Sequence, residues 1–211
     1  SGAVAAAAAA LGRDNLGYTE ALGLSSLRRR IARHYREAYG ADVPAERIVV
    51  TTGSSGAFIL AFLAAFDAGD RVALAAPGYP AYRSMLQAFG IDAVSLDAQL
   101  SHRFQPNIEL IEAAGPLDGL IVASPANPTG TMIAHDELAL LAGYCDRRGI
   151  RLVSDEVYHG IVYGGRAETA LAFSADAMVV NSFSKYFSMT GWRIGWMVVP
   201  EPMLRSLECL A

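Results

Sequence analysis

AMVVNSFSKYFSMTGWRIGWMVV, residues 177–199, consists of two short apolar runs on either side of a polar loop. The runs at 177–181 and 194–199 are rich in branched and large apolar residues, a composition that is typical of buried strands. The loop between them contains Lys185, which lies just past the end of the first run. The stretch therefore predicts two strands of a sheet, with an amine at the carboxyl end of one of them.

Five further apolar runs precede this stretch, and helical patterns separate several of them. The runs lie at 48–51, 71–75, 92–96, 119–123 and 151–154. Apolar residues recur at helical spacing over 27–39, 56–66, 79–89 and 135–148, and the alanine-rich opening at 3–11 also favours a helix. This alternation predicts an α/β fold in three layers (αβα), with a seven-stranded, mostly parallel sheet covered by helices on both faces.

Polar residues follow the predicted strands at the point where each strand ends. The segments are Thr-Gly-Ser-Ser-Gly at 52–56, Pro-Gly-Tyr at 77–79, Asn-Pro-Thr-Gly at 127–130, Asp-Glu-Val-Tyr at 155–158 and Ser-Phe-Ser-Lys at 182–185. Ligands of open α/β sheets bind outside the carboxyl ends of the strands. Topology alone therefore predicts a ligand site at this edge of the sheet.

The predicted edge has the chemistry of an anion site. Backbone N–H groups of loop 52–56, at the start of a helix, favour an anion such as phosphate, although simple capping by Ser54 or Ser55 is an alternative. The guanidinium of Arg193 matches a phosphate geometrically.

An amine and a carboxylate are also predicted at this edge. Lys185 becomes a Schiff-base nucleophile if it is desolvated, whereas a solvated surface charge is the alternative. Asp155, at the end of an apolar strand, needs a partner, and a protonated pyridine nitrogen would be one.

Composition excludes several classes of protein. The 211 residues are 53% hydrophobic with a net charge of −4, which favours a buried globular core and gives no sign of nucleic-acid or membrane binding. The basic cluster at 28–30 is interpreted as a solvated helix face. Cys145 and Cys209 fit neither a disulfide framework nor a metal site, so we expect no metal and a cytoplasmic location. The apolar run 57–66 is too short to span a bilayer.

The ordered set of motifs resembles one enzyme family. The segment from 182 to 195 is similar to the pyridoxal 5′-phosphate (PLP) attachment signature of class I aminotransferases: small, apolar, small, Lys, then Gly-x-Arg-apolar-Gly. The segments at 127–130 and 154–158 resemble two further hallmarks of the family, in the same order and spacing. Pro-Gly-Tyr-Pro at 77–80 and Gly-Tyr-Thr at 17–19 complete the set.

The resemblance implies a fold and a division of the chain. It implies the large domain of fold type I PLP enzymes, whose seven-stranded sheet has a single antiparallel strand, here 194–199. We expect an N-terminal helical segment at 1–16 and the PLP-binding large domain at 17–211. The small domain, with the Arg that binds the substrate carboxylate, is not expected within this chain. Because the sequence lacks an initiator Met and ends in an apparently helical segment, we expect a fragment of a longer protein.

The resemblance also implies roles for individual residues around the ring of the cofactor. Lys185 would carry PLP as a Schiff base and move the proton at the substrate Cα. Asp155 would pair with the pyridinium nitrogen. Tyr158 and Asn127 would bond the phenolic oxygen, and Tyr79 would stack on the ring.

A second set of residues would hold the phosphate group. Ser54, Ser55, Ser182 and Arg193 would bind it within one subunit. Tyr18 would reach the phosphate of the neighbouring subunit, which implies a homodimer with shared active sites. Packing in a core or an interface is the alternative role for both Tyr18 and Tyr79.

The implied function is the transfer of an amino group between an amino acid and a 2-oxo acid. Two alternatives stay open. One is another PLP enzyme on the same scaffold, such as a C–S β-lyase, a decarboxylase or a cyclopropane-forming synthase. The other is a PLP-sensing domain of a transcription regulator. The sequence does not discriminate among amino donors.

Overall fold

Seven strands form one mixed sheet in the computed structural model, which describes residues 2–12 and 17–211. The strands are β1 (Ile48–Thr51), β2 (Arg71–Ala76), β3 (Asp92–Asp97), β4 (Gly119–Ala123), β5 (Arg151–Asp155), β6 (Met178–Ser182) and β7 (Gly195–Val198). The helices are α1 (Gly2–Leu11), α2 (Ser25–Tyr39), α3 (Gly53–Ala65), α4 (Pro80–Ala88), α5 (Ile108–Ala113), α6 (His135–Arg148) and α7 (Leu204–Leu210).

The order of the strands is β1-β7-β6-β5-β4-β2-β3, and β7 alone runs antiparallel to its two neighbours. The remaining pairs are parallel, as βα units with crossover helices require. The predicted α/β class, the number of strands and the single antiparallel strand are therefore confirmed.

Each face of the sheet is covered by its own hydrophobic core. On one face, Tyr35 of α2 and Leu138 of α6 pack with Trp196 of β7. On the other face, Phe62 of α3 and Leu86 of α4 pack against the sheet. Burying each of these side chains contributes about 2–3 kcal/mol, so both helical layers are held mainly by apolar burial.

Two helices differ from the predictions. Helix α3 begins at Gly53, so most of the expected 52–56 loop is the first turn of this helix. Gly53 has φ +76°, a conformation that glycine adopts without strain and that allows the helix to begin directly after β1. The short helix α5 was not predicted because six residues contain too little periodicity; Asn107 caps it by accepting a hydrogen bond from the backbone N–H of Leu110 at 2.9 Å.

The N-terminal segment is described only in part. Helix α1 has no buried residue, and the predicted segment 1–16 includes residue 1 and residues 13–16, which lie outside the described residues. The division at residue 16 stays a prediction. No helix within the described ranges is long and apolar enough to cross a membrane.

Candidate active site

Predicted site residues lie at the carboxyl ends of five strands. Four of these strands, β6, β5, β4 and β2, are consecutive in the parallel part of the sheet. Ser54 and Ser55 follow β1, Tyr79 follows β2, Asn127 follows β4, Asp155 and Tyr158 end or follow β5, and Lys185 follows β6. The residues that were predicted from separate stretches of sequence therefore lie along one edge.

The Asp155 carboxylate is buried and held in a fixed orientation. Its Oδ1 accepts a hydrogen bond from the backbone N–H of Val157 at 3.0 Å, and its Oδ2 accepts one from the hydroxyl of Tyr82. Burial raises the pKa of Asp155 to about 6, while these two donors and the charge of Lys185 act in the opposite direction. At neutral pH the group is therefore an ionised carboxylate at a buried position.

Lys185 lies on the loop after β6, the strand that neighbours the strand of Asp155. Its Nζ lies 5.6 Å from the centroid of the Tyr158 ring, within the range of a cation–π contact, and its charge acts on Asp155. The side chain is exposed, which corresponds to the solvated alternative and not to a desolvated amine. Lys185 is also the only lysine in the sequence.

The N-terminus of α3, strand β7 and Arg193 lie close to one another. A methyl group added at Gly195 would lie 2.7 Å from the carbonyl carbon of Gly53 and 2.9 Å from the backbone nitrogen of Ser54. A methyl group at Gly53 would lie 2.6 Å from Nη2 of Arg193. Helix α3 has no side-chain cap, so Ser54 and Ser55 do not serve as its N-cap. The guanidinium of Arg193 therefore lies at the N-terminus of α3, and both it and the first N–H groups of the helix are donors of the kind that bind a phosphate.

The hydroxyl of Ser182 has hydrogen-bond partners within its own loop and at Ile194, so its role in binding a phosphate stays a prediction. This buried hydroxyl accepts a hydrogen bond from the backbone N–H of Ser184 at 3.1 Å. The same oxygen lies 3.0 Å from the Ser184 hydroxyl and 3.2 Å from the carbonyl oxygen of Ile194. Because these partners close the loop that carries Lys185, a phosphate would compete with them for the Ser182 hydroxyl.

Tyr82 is the residue of this site that the sequence interpretation missed. It lies three residues after Tyr79 on α4, and the two rings meet edge to face with centroids 5.4 Å apart. Both tyrosines line a narrow cleft together with Asn127. The spacing of one helical turn could have suggested that Tyr82 shares the face of Tyr79, but its partner Asp155 is 73 residues away in sequence.

Tyr18 stands apart from the other predicted residues. Its ring is fully exposed in this chain, so neither core packing nor a contact with the site of its own chain covers it. Contact with a second subunit stays a prediction. Among residues 2–12 and 17–211, no cluster of His, Cys, Asp and Glu side chains could hold a metal ion.

We expect Tyr82→Phe to destabilise the fold more at pH 8 than at pH 4. Because the folded-state pKa of Asp155, about 6, lies above the usual value of 3.8, Asp155 favours the folded state at low pH, and this contribution is lost as the pH rises through 6. The Tyr82 hydroxyl offsets part of that loss by bonding the ionised form. Removing it should cost about 1 kcal/mol at pH 4 and about 2 kcal/mol at pH 8.

Urea unfolding of the wild type and the variant at the two pH values measures this difference. Tyr79→Phe is the matched control, since it removes an exposed hydroxyl from the same helix region and should give no pH-dependent difference. An equal loss of stability for Tyr82→Phe at both pH values would contradict the assignment.

The sequence is similar to curated aminotransferases. A valine–pyruvate aminotransferase of Mycobacterium tuberculosis is 54% identical over 209 residues, which cover 98% of this chain and 54% of that protein. An aspartate aminotransferase of Thermotoga maritima is 33% identical over 203 residues, which cover 94% of this chain and 54% of that protein. The chain thus spans about half the length of the curated relatives it matches.

Solved structures share the fold over nearly the whole chain. A crystal structure of an aminotransferase from Mycobacterium tuberculosis matches with a TM-score of 0.95 and 54% identity, covering 98% of this chain and 57% of that one. The aspartate aminotransferase from Thermus thermophilus with maleate matches with a TM-score of 0.94 and 30% identity, covering 98% of this chain and 55% of that one. The sheet therefore has the fold type I arrangement that the motifs implied.

The family comparison agrees with the sequence relatives and with the solved structures. The profile described as "Aminotransferase class I and II" matches residues 2–211, which is almost the entire sequence. With the strand order, the buried carboxylate at the end of β5 and the lysine on the loop after β6, this match leaves one assignment. The chain belongs to the class I and II aminotransferase family.

Proposed function

We propose that the protein is a PLP-dependent aminotransferase, which moves an amino group between an amino acid and a 2-oxo acid. The observation that carries this proposal is the buried Asp155 carboxylate at the end of β5, with Lys185 on the loop after the neighbouring strand β6 and near enough for its charge to act on that carboxylate. A buried carboxylate favours a cationic partner, and the protonated ring nitrogen of PLP is such a partner.

The donors and the space around this pair fit the cofactor. The first turn of α3 and Arg193 supply N–H donors for a phosphate, and the lack of side chains at Gly53 and Gly195 lets Arg193 and β7 pack closely against the start of this helix. Tyr79 presents an aromatic face beside Asn127 in the adjacent cleft. When bound, PLP supplies an electron sink for the negative charge that develops at the substrate Cα.

Each residue of the chain has a separate task in this proposal. Lys185 would hold the cofactor covalently, and its amine would move the proton at the substrate Cα. Asp155 keeps the ring nitrogen protonated. Tyr158 and Asn127 donate to the phenolic oxygen. Ser54, Ser55, Ser182 and Arg193 hold the phosphate, with Ser182 exchanging one of its present bonds for it.

Valine with pyruvate is the substrate pair that we propose to test first. The support is the 54% identity with the valine–pyruvate aminotransferase of Mycobacterium tuberculosis, which exceeds the 33% identity with the aspartate aminotransferase of Thermotoga maritima.

We also propose a homodimer in the cytoplasm. Exposed aromatic side chains support a second subunit near the site: Tyr18 is fully exposed, and Tyr186 and Phe187 are exposed on the loop that carries Lys185. Buried Cys145 and exposed Cys209 are free thiols, as is usual in a reducing compartment.

A screen of amino donors against the full-length protein loaded with PLP tests the function. We expect valine to change the absorption of the bound cofactor and to yield its 2-oxo acid, and pyruvate to restore the original absorption and yield alanine. Release of ammonia and pyruvate from a thiol-bearing amino acid would indicate a β-lyase instead. Cofactor binding without turnover of any donor, together with specific DNA binding, would indicate a regulator.

A further inference from the structure

A buried histidine, His159, lies next to the proposed site. His159 directly follows Tyr158 and is 6% exposed. Its Nε2 lies 2.9 Å from the carbonyl oxygen of Ser124, and its Nδ1 lies 2.8 Å from the hydroxyl of Tyr39 at the end of α2. The ring therefore bridges three separate parts of the chain: the turn after β5, the loop after β4 and helix α2.

The two contacts fix which ring nitrogen carries the proton. A backbone carbonyl can only accept, so Nε2 of His159 donates to Ser124. Burial lowers the pKa of His159 to about 4, so the ring is neutral at neutral pH and Nδ1 accepts from the Tyr39 hydroxyl. The imidazole thus has one orientation and one tautomer.

Glu156 is the next residue in contact with His159. Its Oε1 accepts from the hydroxyls of Ser154 and Thr169 and from the backbone N–H of Ala170, at 2.9 to 3.2 Å. Its Oε2 lies 3.5 Å from Nδ1 of His159. Burial raises the pKa of Glu156 to about 8, so both groups are uncharged at neutral pH and the contact is not an ion pair.

The Ser124 carbonyl is an anchor point of the loop that carries Asn127. The Ser124 hydroxyl accepts from the backbone N–H of Ile133 at 3.0 Å, and within the loop the N–H of Gly130 donates to the Ala126 carbonyl at 2.8 Å. On the other side, the N–H of His159 donates to the Glu156 carbonyl at 3.0 Å and closes the turn that contains Tyr158. His159 is thus the direct side-chain link between the turn of Tyr158 and the loop of Asn127.

We propose that His159 is a positioning residue, which holds the loop of Asn127 against the turn of Tyr158 so that both side chains donate to the same oxygen of the cofactor. The inference rests on the proposed function, because that oxygen is the phenolic oxygen of PLP. A donor that is 1 Å out of place loses most of its hydrogen bond, so the relative placement of the two elements decides whether both donors act together.

Two amide variants differ only in reach and separate this role from general packing. In His159→Gln the side-chain NH₂ can stand where Nε2 stands and donate to Ser124, whereas in His159→Asn it stands near the position of Nδ1 and falls short. Both variants are uncharged and polar. We expect His159→Asn to raise the pH midpoint of the absorption change of the bound cofactor by about one unit, a tenfold change, since fewer donors stabilise the ionised oxygen. We expect His159→Gln to stay within about 0.3 units of the wild type.

A second measurement needs no cofactor. In the full-length protein without PLP, the backbone amides of residues 126, 127 and 129–131 should exchange with deuterium about tenfold faster in His159→Asn than in His159→Gln, because the Ser124 anchor is lost. If His159→Asn does not fold, Tyr39→Phe takes its place, because it removes the hydroxyl that bonds Nδ1 of His159. For this variant we expect half the shift in the pH midpoint and faster amide exchange over the same residues.

The outcomes distinguish the two proposals. The positioning role would be overturned if the His159→Asn and His159→Gln variants had equal pH midpoints and equal rates of amide exchange. If the Asn variant does not fold, it would be overturned by a Tyr39→Phe variant whose midpoint and exchange rates equal those of the wild type. If the wild type forms no covalent complex with PLP, the proposed function fails, while the exchange comparison still reports whether His159 holds the loop.

Discussion

Lys185→Ala is expected to abolish covalent attachment of PLP and to lower the rate of amino-group transfer by about 10⁴-fold or more. The reason is that one amine performs both tasks in the proposed site: it binds the cofactor and moves the proton. Borohydride reduction of the full-length protein loaded with PLP, followed by peptide mass mapping, should locate the cofactor on the peptide that contains residue 185 in the wild type. The variant should give no labelled peptide.

Lys185→Arg is the matched control for charge. It keeps a cation near Asp155 but cannot form the covalent bond, so we expect it to match the wild type in unfolding temperature without PLP and to match Lys185→Ala in the absence of label. A labelled peptide elsewhere in the Ala variant would show that another amine carries the cofactor. Full activity of either variant would contradict the role of Lys185 outright.

Periodicity and composition were sufficient to predict the sheet, because its strands are short, apolar and separated by helices whose spacing is clear. The stretch at 177–199 gives both β6 and β7 within a residue or two. The antiparallel direction of β7 came from the family resemblance alone, since a run of branched residues carries no information about the direction in which it pairs. Helix α5 was missed because six residues are too few for a periodic pattern.

Side-chain partners across the fold were harder to predict than positions along the edge. Asp155 and Lys185 follow neighbouring strands, so topology brings them together. The bond between Tyr82 and Asp155 depends on how α4 packs on the sheet, and the bridge from Tyr39 through His159 to Ser124 joins residues 120 and 35 positions apart. No local pattern encodes such pairs. The exposure of Lys185 was not predictable from local sequence either, because an apolar strand before a loop does not determine whether the side chains of the loop are buried.

Asp155→Asn is expected to change activity and stability in opposite directions. The substitution keeps the shape of the side chain and removes its charge, so the proposed ring nitrogen loses its anionic partner. We expect kcat to fall by about 10³-fold, while Lys185 is still labelled by borohydride reduction. Asp155→Glu, which restores the charge at a displaced position, should recover part of kcat and serves as the control for charge.

The stability of the Asn variant should depend on pH with a predictable sign. The pKa of Asp155 is about 6 in the folded protein against a usual 3.8, so ionisation of this buried group lowers the stability of the wild type increasingly from pH 4 to pH 6. Without PLP, Asp155→Asn should match the wild type or be slightly less stable at pH 4 and be more stable by about 1–2 kcal/mol at pH 8, since part of the gain is offset by a poorer bond to Val157. Urea unfolding at both pH values measures this difference. A cofactor-binding role requires a carboxylate that lowers the stability of the fold and is necessary for turnover. If Asp155→Asn instead lost stability at pH 8 and kept its kcat, Asp155 would be a structural residue.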